Sequence, residues 1–395
     1  MARFILPFFL LLAACATTPQ APSPNVAYAW ATFDRAGLTA SGASGLADRA
    51  RARPLTIDDP ARIASVSKLV VAIGLVRLVE EGRLDLDRDV SELLGWRLRN
   101  PAFPDRPITL RLLLSHTSSL RDEVDYAIPL GTTIEQALAN SAAFDPDHPP
   151  GTYFRYSNLN FPLIASLMER ATGERFDGLM ARLVLRPLAL DACFNWTTCS
   201  ETAMARAVVL YDGGGAPIRD DLGGRPPPCP VNAPQGRPCD LATYIPGSNG
   251  ALFSPQGGLR ISIRDLAVIG RLLLNGGVHD GRRLLSEASV REILAPRWRF
   301  TGTNGATDRG FYCAYGLASQ SLPVAVRGCD DDLFGDGRPV VGHAGDAYGL
   351  RSGLWIDPQS GRGIAYLSTG NGEDPPRGRS AYRTIEEQLA RHLTR

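Results

Sequence analysis

Apolar residues are distributed along the chain in three patterns. The first is a single run at 4–14, after the positive start Met1-Ala2-Arg3. About a dozen residues fall short of the ~20 that span a bilayer, so this run reads as a signal peptide. The second pattern is alternation. Residues 26–33 read as a strand, and 38–46, spaced by Gly and Ser, pair with it as a hairpin. Shorter strand-like segments follow at 311–317, 339–342, 349–356 and 363–368. The third pattern is helical. Residues 69–79 are apolar almost all round, broken only by Arg77, with Gly82 beyond them. This predicts a buried helix with a C-terminal glycine. From 85 to about 241 helical patterns dominate between Pro-rich breaks, at 108–114, 133–142, 158–171 and 175–185. Further helices are expected at 262–274, 286–294 and 380–393. Strands at both ends and helices between them predict an α/β fold, a sheet drawn from the two termini with an inserted, mainly helical lobe. The expected organisation is a signal peptide at 1–14, a tether at 15–25 and one domain at 26–395. Within that domain, 26–84 and 242–395 form the α/β lobe and 85–241 the helical lobe.

Cysteine usage refines this picture. Leu12-Ala13-Ala14-Cys15 resembles a bacterial lipobox, in which the cysteine at the cleavage point is lipidated. Residues 16–24 are rich in Pro, Thr and Ser and read as a tether. The expectation is an exported, periplasm-facing lipoprotein held to the membrane by lipid on Cys15. Six cysteines remain, an even number that points to disulfides in an exported chain. Closeness in sequence favours Cys193–Cys199, Cys229–Cys239 and Cys313–Cys329 among about 15 possible pairings. A metal site has little support, since no Cys-x-x-Cys or His cluster accompanies them. Pro and Gly gather at 212–238, which reads as a long surface insertion stapled by its own cysteines. The formal net charge of +1 implies no nucleic-acid partner and no polybasic membrane patch. Oligomeric state is not set by the sequence.

Chemistry enters with Lys68, the only lysine beside 41 arginines. Arg cannot lose its proton in a protein, whereas a buried Lys can. A position kept as Lys is therefore a candidate proton carrier. Ser65 lies three residues earlier, at the expected start of the buried helix, on the same face as Lys68. A serine nucleophile needs a neighbour that takes its proton, and Ser-x-x-Lys supplies both from one rigid element. The plainer reading is a capping serine followed by a surface lysine.

Five segments together favour the chemical reading. Ile63-Ala64-Ser65-Val66-Ser67-Lys68, Leu112-Leu113-Leu114-Ser115-His116-Thr117-Ser118, Tyr156-Ser157-Asn158, Gly257-Gly258-Leu259 with Asp265-Leu266-Ala267, and His343-Ala344-Gly345 occur in that order. The chain from about residue 25 onward resembles the serine β-lactamase-like family, which includes class C β-lactamases, D-Ala-D-Ala carboxypeptidases and related esterases. The resemblance implies an antiparallel sheet from both chain ends flanked by helices, and no cofactor. It implies Ser65 as the acylated serine, Lys68 as its partner and Tyr156 facing them from the helical lobe. Asn158 would bond the substrate amide. The backbone N–H groups of Ser65 and Asp346 would form the oxyanion hole. His343, Ala344 and Gly345 fall where the family carries Lys-Thr-Gly or His-x-Gly, so His343 and Gly345 are expected to contact substrate. Proton transfer is assigned to a Lys68–Tyr156 pair sharing one proton, with Lys68 favouring tyrosinate. His116 is expected to be a buried structural residue, while His148, His279 and His392 carry no motif.

Three departures bear on substrate. His343 is only partly charged near pH 7, and Ala344 has no hydroxyl. Asp330, Asp331, Asp332, Asp336 and Asp346 make the region acidic. Ser119 stands where glycine is common, and is strained if that backbone needs a positive φ. The first two favour an ester, or a peptide-like substrate with a free amine, over a penicillin. The expected protein is a serine hydrolase acting through an acyl-enzyme on small-molecule esters or peptide-like amides. The alternatives are a β-lactamase or D-Ala-D-Ala carboxypeptidase, or a catalytically silent binding protein of the cell envelope.

Overall fold

The computed structural model describes residues 26–234, 236 and 238–393. The expected signal peptide, Cys15 and the tether lie outside the described residues.

Eight strands form one antiparallel sheet. They are β1 (Ala27–Asp34), β2 (Leu38–Ser44), β3 (Trp298–Arg299), β4 (Ala314–Tyr315), β5 (Gln320–Leu322), β6 (Val340–Ala347), β7 (Leu350–Asp357) and β8 (Arg362–Thr369). Their order is β3-β4-β5-β6-β7-β8-β1-β2. The first strand therefore sits beside the last, with Ala27 opposite Thr369 and Asp34 opposite Arg362. Alternation along the strands sends side chains to two faces. Ala29, Ala31, Phe33, Leu354 and Leu367 join the main core, whereas Trp355, Ile364 and Tyr366 join a second one. Helix α3 (Ile263–Leu274) covers the first face so closely that a Cβ at Gly270 would lie 2.2 Å from Phe33. Helix α4 (Thr384–Ala390) closes the second.

Helix α1 (Ser67–Glu80) is buried on all sides for most of its length. Its apolar composition makes sense in that position, between the sheet lobe and the helices of the intervening segment. A Cβ at Gly74 would meet Met180 Sδ at 2.7 Å, so the next helical segment presses directly on it. Helix α2 (Asn160–Thr172) buries ten of its residues and ends at Gly173 in the left-handed conformation. A small three-stranded sheet of Ala61–Arg62, Leu259–Ile261 and Cys193–Phe194 leads the chain into α1.

The expected elements form with shifted bounds. The strand predicted at 339–342 runs on through Gly342-His343-Ala344-Gly345, because pairing with β7 sustains residues that lack an apolar pattern. The strand predicted at 311–317 shrinks to β4, and β3 and β5 are too short to leave a pattern. The helix predicted at 133–142 divides into Ile134–Leu138 and Ser141–Ala143, since Asn140 caps the second piece. All three expected disulfides are present.

Candidate active site

The chain turns sharply as it leaves Ala61–Arg62. Ala64 has φ +46° and opens the short 3-10 turn Ala64–Val66 that continues into α1. A left-handed backbone costs a non-glycine residue roughly 1–2 kcal/mol, and the packing around this bend holds it. Ser352 Oγ donates to the Ile63 carbonyl at 2.7 Å, which ties β7 to the turn. Strand β6 lies against it as well. A Cβ at Gly345 would sit 2.3 Å from Ser352 Oγ, 2.5 Å from the Ile63 carbonyl and 3.2 Å from Ser65 N, so only glycine allows the approach. Half-buried Ser65 lines a cleft of about 1600 Å³ together with Gly345 and Asp346. Its N–H finds no acceptor among the described residues.

Lys68 is fully buried one turn along. Its Nζ donates to Ser65 Oγ at 3.0 Å, Asn158 Oδ1 at 2.9 Å and the Gln256 carbonyl at 2.8 Å. Burial brings its pKa down to about 7; Asp122 opposes the fall and Arg62 adds to it. Nζ also lies 4.9 Å from the centre of the Tyr156 ring.

That last contact corrects the proton-sharing pair. Lys68 meets the face of Tyr156, not its hydroxyl. The hydroxyl is buried near Ser65 and Tyr312 without a well-formed hydrogen bond. Burial pushes its pKa up, so Tyr156 stays a phenol and tyrosinate is not favoured.

Asn158, expected to bond the substrate amide, is engaged within the protein. Its Oδ1 accepts from Lys68, and its Nδ2 donates to Asp122 at 3.0 Å. Asp122 also accepts from the Ser157 hydroxyl at 2.7 Å and from the N–H groups of Asn158 and Leu159 at 2.8 and 3.0 Å. Helix α2 lacks a side-chain cap of its own, and Asp122 supplies that cap from another loop. Neither Asp122 nor Gln256 was among the candidate residues. Asp122 sits in a loop without periodicity, and Gln256 acts through its carbonyl, which any residue carries.

His343 is a correction. It does not line the cleft but lies buried behind Tyr156, with Nδ1 donating to the Ala344 carbonyl and Nε2 accepting from Tyr315 at 2.7 Å. Burial first, then Lys68, lowers its pKa to about 3, so the ring is neutral. His116 is structural, as expected. Its Nδ1 accepts from Ser157 N at 3.1 Å and Asn160 Nδ2 at 3.0 Å. Ser119 does adopt φ +69°. Its hydroxyl holds the strained position by donating to the His148 carbonyl at 2.8 Å and accepting from Asn100 Nδ2 at 2.6 Å.

The acidic surroundings expected of β6 are also corrected. Asp346 pairs with Arg351, Asp330 with Arg377 and Asp336 with Arg338. The Asp331 carboxylate accepts from Val324 N, and that of Asp332 accepts from Gly335 N. The cleft itself is lined by nine arginines against five aspartates and one glutamate.

Comparison with known proteins finds similarity in both sequence and fold. The family described as Beta-lactamase matches residues 25–389. Penicillin-binding protein 4 of Amycolatopsis lactamdurans is 27% identical over 336 residues, 83% of this chain and 77% of that protein. Esterase EstB of Burkholderia gladioli is 32% identical over 192 residues, 45% of this chain and 48% of the esterase. The D-amino acid amidase from Ochrobactrum anthropi SV3, complexed with L-phenylalanine, superposes with a TM-score of 0.64 at 21% identity, over 93% of each chain.

Proposed function

The chain belongs to the beta-lactamase family and is a hydrolase of that group; on that premise we propose that Ser65 forms an acyl-enzyme with small esters or peptide-like amides in the cell envelope. One observation carries the reading: a buried lysine amine 3.0 Å from the Ser65 hydroxyl, with its pKa brought to about 7. A neutral lysine has two hydrogens and one lone pair. Asn158 Oδ1 and the Gln256 carbonyl take the hydrogens, which leaves the lone pair for Ser65.

Ser65 Oγ gives its proton to Lys68 as it attacks the carbonyl carbon. The carbonyl electrons move onto oxygen, where the N–H groups of Ser65 and Asp346 hold the charge. Collapse breaks the bond to the leaving group, which departs with the proton that Lys68 took from Ser65. Water then attacks the ester, loses its proton to Lys68, and Ser65 leaves with that proton. Two features turn the site away from penicillins: His343 is buried and neutral, and Ala344 offers no hydroxyl. The relatives named as an esterase and an amidase support esters and amides as the bond classes.

A labelled fluorophosphonate tests the proposal. The expected result is one adduct, on the peptide containing Ser65, absent from Ser65→Ala. Folded wild-type protein that takes no label would overturn it and favour a catalytically silent binder of wall peptides.

A further inference from the structure

Arg62 stands three residues before Ser65, and in the chemistry above it acts only by helping to lower the Lys68 pKa. It is 5% exposed, lies on the short strand Ala61–Arg62 and lines the cleft. Its Nε and Nη1 are sealed from solvent without an acceptor among the described residues. Its Nη2 is 3.6 Å from where a Cβ on cleft-lining Gly257 would be, and Gly257 in turn abuts Ala64. The carboxylate that could neutralise it is committed elsewhere. Asp220 accepts from Arg260 at 2.8 and 3.3 Å and from Trp196 Nε1 at 2.9 Å. Arg62 instead lies over the Tyr348 ring, 5.1 Å from its centre, and exposed Arg219 is over the same ring at 4.9 Å. A ring face attracts a cation but does not neutralise it. An unpaired buried charge is costly, and an incoming anion removes that cost. Burial and then Arg260 depress the Arg62 pKa, and Tyr348 and Asp220 offset only part of that fall.

We infer that Arg62, assisted by Arg219, binds a free carboxylate on the substrate, so that the acyl donors this cleft prefers carry a second, anionic carboxylate. The inference rests on the acyl-enzyme reading and narrows its substrate class. It replaces the free-amine preference, which depended on acidic side chains that arginines have paired.

The test compares two esters with one leaving group, 4-nitrophenyl valerate and mono-4-nitrophenyl glutarate, alongside fluorophosphonate labelling of Ser65. In wild-type enzyme kcat/KM should favour the glutarate by on the order of tenfold or more, the scale of one charge-assisted hydrogen bond. That ratio should fall towards one in Arg62→Gln, fall in Arg219→Gln, and shrink in wild type as salt rises from low to high ionic strength. Arg219 is exposed, so its variant and the salt series stand even if Arg62→Gln does not fold. A wild-type ratio at or below one, or a ratio that neither Arg219→Gln nor salt alters, overturns the carboxylate site. If Ser65 is labelled in that case, the hydrolase reading survives alone. If Ser65 takes no label and neither ester is cleaved, the hydrolase reading itself has failed.

Discussion

In the proposed reaction a single nitrogen carries most of the chemistry, and its behaviour is open to direct test. Lys68 Nζ meets three oxygens. A guanidinium could meet them too, but it could not surrender its proton. Lys68→Arg is therefore expected to lose on the order of a thousandfold in kcat/KM, close to Lys68→Ala, measured with any ester the wild type cleaves. Substantial activity in the Arg variant would return Tyr156 to candidacy as the base. The pH profile gives the sign. Lys68 must be neutral to act, and its pKa is about 7. In wild type kcat/KM should thus fall about tenfold per pH unit below 7. Asp122 raises that pKa, so Asp122→Asn should move the acid limb to lower pH. The same change turns one carboxylate oxygen, which accepts two hydrogen bonds, into a donor, at a cost of roughly 1–3 kcal/mol, read as a lower Tm. An acid limb unmoved in Asp122→Asn would separate Asp122 from Lys68.

At the scale of elements, the proposed oxyanion hole depends on the β6 approach to the Ser65 turn. Gly345→Ala places a methyl within 2.5 Å of the Ile63 carbonyl and 3.2 Å from Ser65 N, so β6 must move away from the turn. The expected loss is roughly a hundredfold in kcat, the scale of one missing oxyanion donor, with the far-ultraviolet spectrum unchanged. Wild-type kcat in the folded variant would remove this assignment. The same packing explains what the sequence reveals and what it hides. Ser65 and Lys68 are legible because their three-residue spacing follows a helix, whereas Tyr156 and Asn158 are legible through the resemblance of their segment to the family. Asp122 is hidden because capping α2 requires only a carboxylate in the right loop, at any distance along the chain. His343 misleads for a physical reason. It lies two residues from Gly345, on the same face of β6. The turn forces Gly345 to be bare, whereas His343 is buried against Tyr156 and Tyr315. The charge of the cleft is likewise invisible in a run of aspartates, because their arginine partners are up to 47 positions away.

For the whole molecule, the membrane anchor is a proposal that can be tested separately from catalysis. Lipid on Cys15 should carry the protein into the detergent phase on phase separation, and Cys15→Ser should leave it in the aqueous phase with its activity intact. Wild-type protein found wholly in the aqueous phase would remove the anchor. The order of the sheet has a consequence for how the chain is made. Ala27 pairs with Thr369, 342 positions later. A ribosome delivers β1 and β2 first, and a two-stranded hairpin by itself is marginal in water. Until β8 arrives, one side of β1 is an open edge of unpaired N–H and C=O groups, which templates pairing between chains. Helix α1 and the nucleophile exist long before the sheet that supports them can close. A message truncated anywhere before residue 362 therefore yields a sticky hairpin attached to loose helices, material for proteases and aggregates, not a partly active hydrolase.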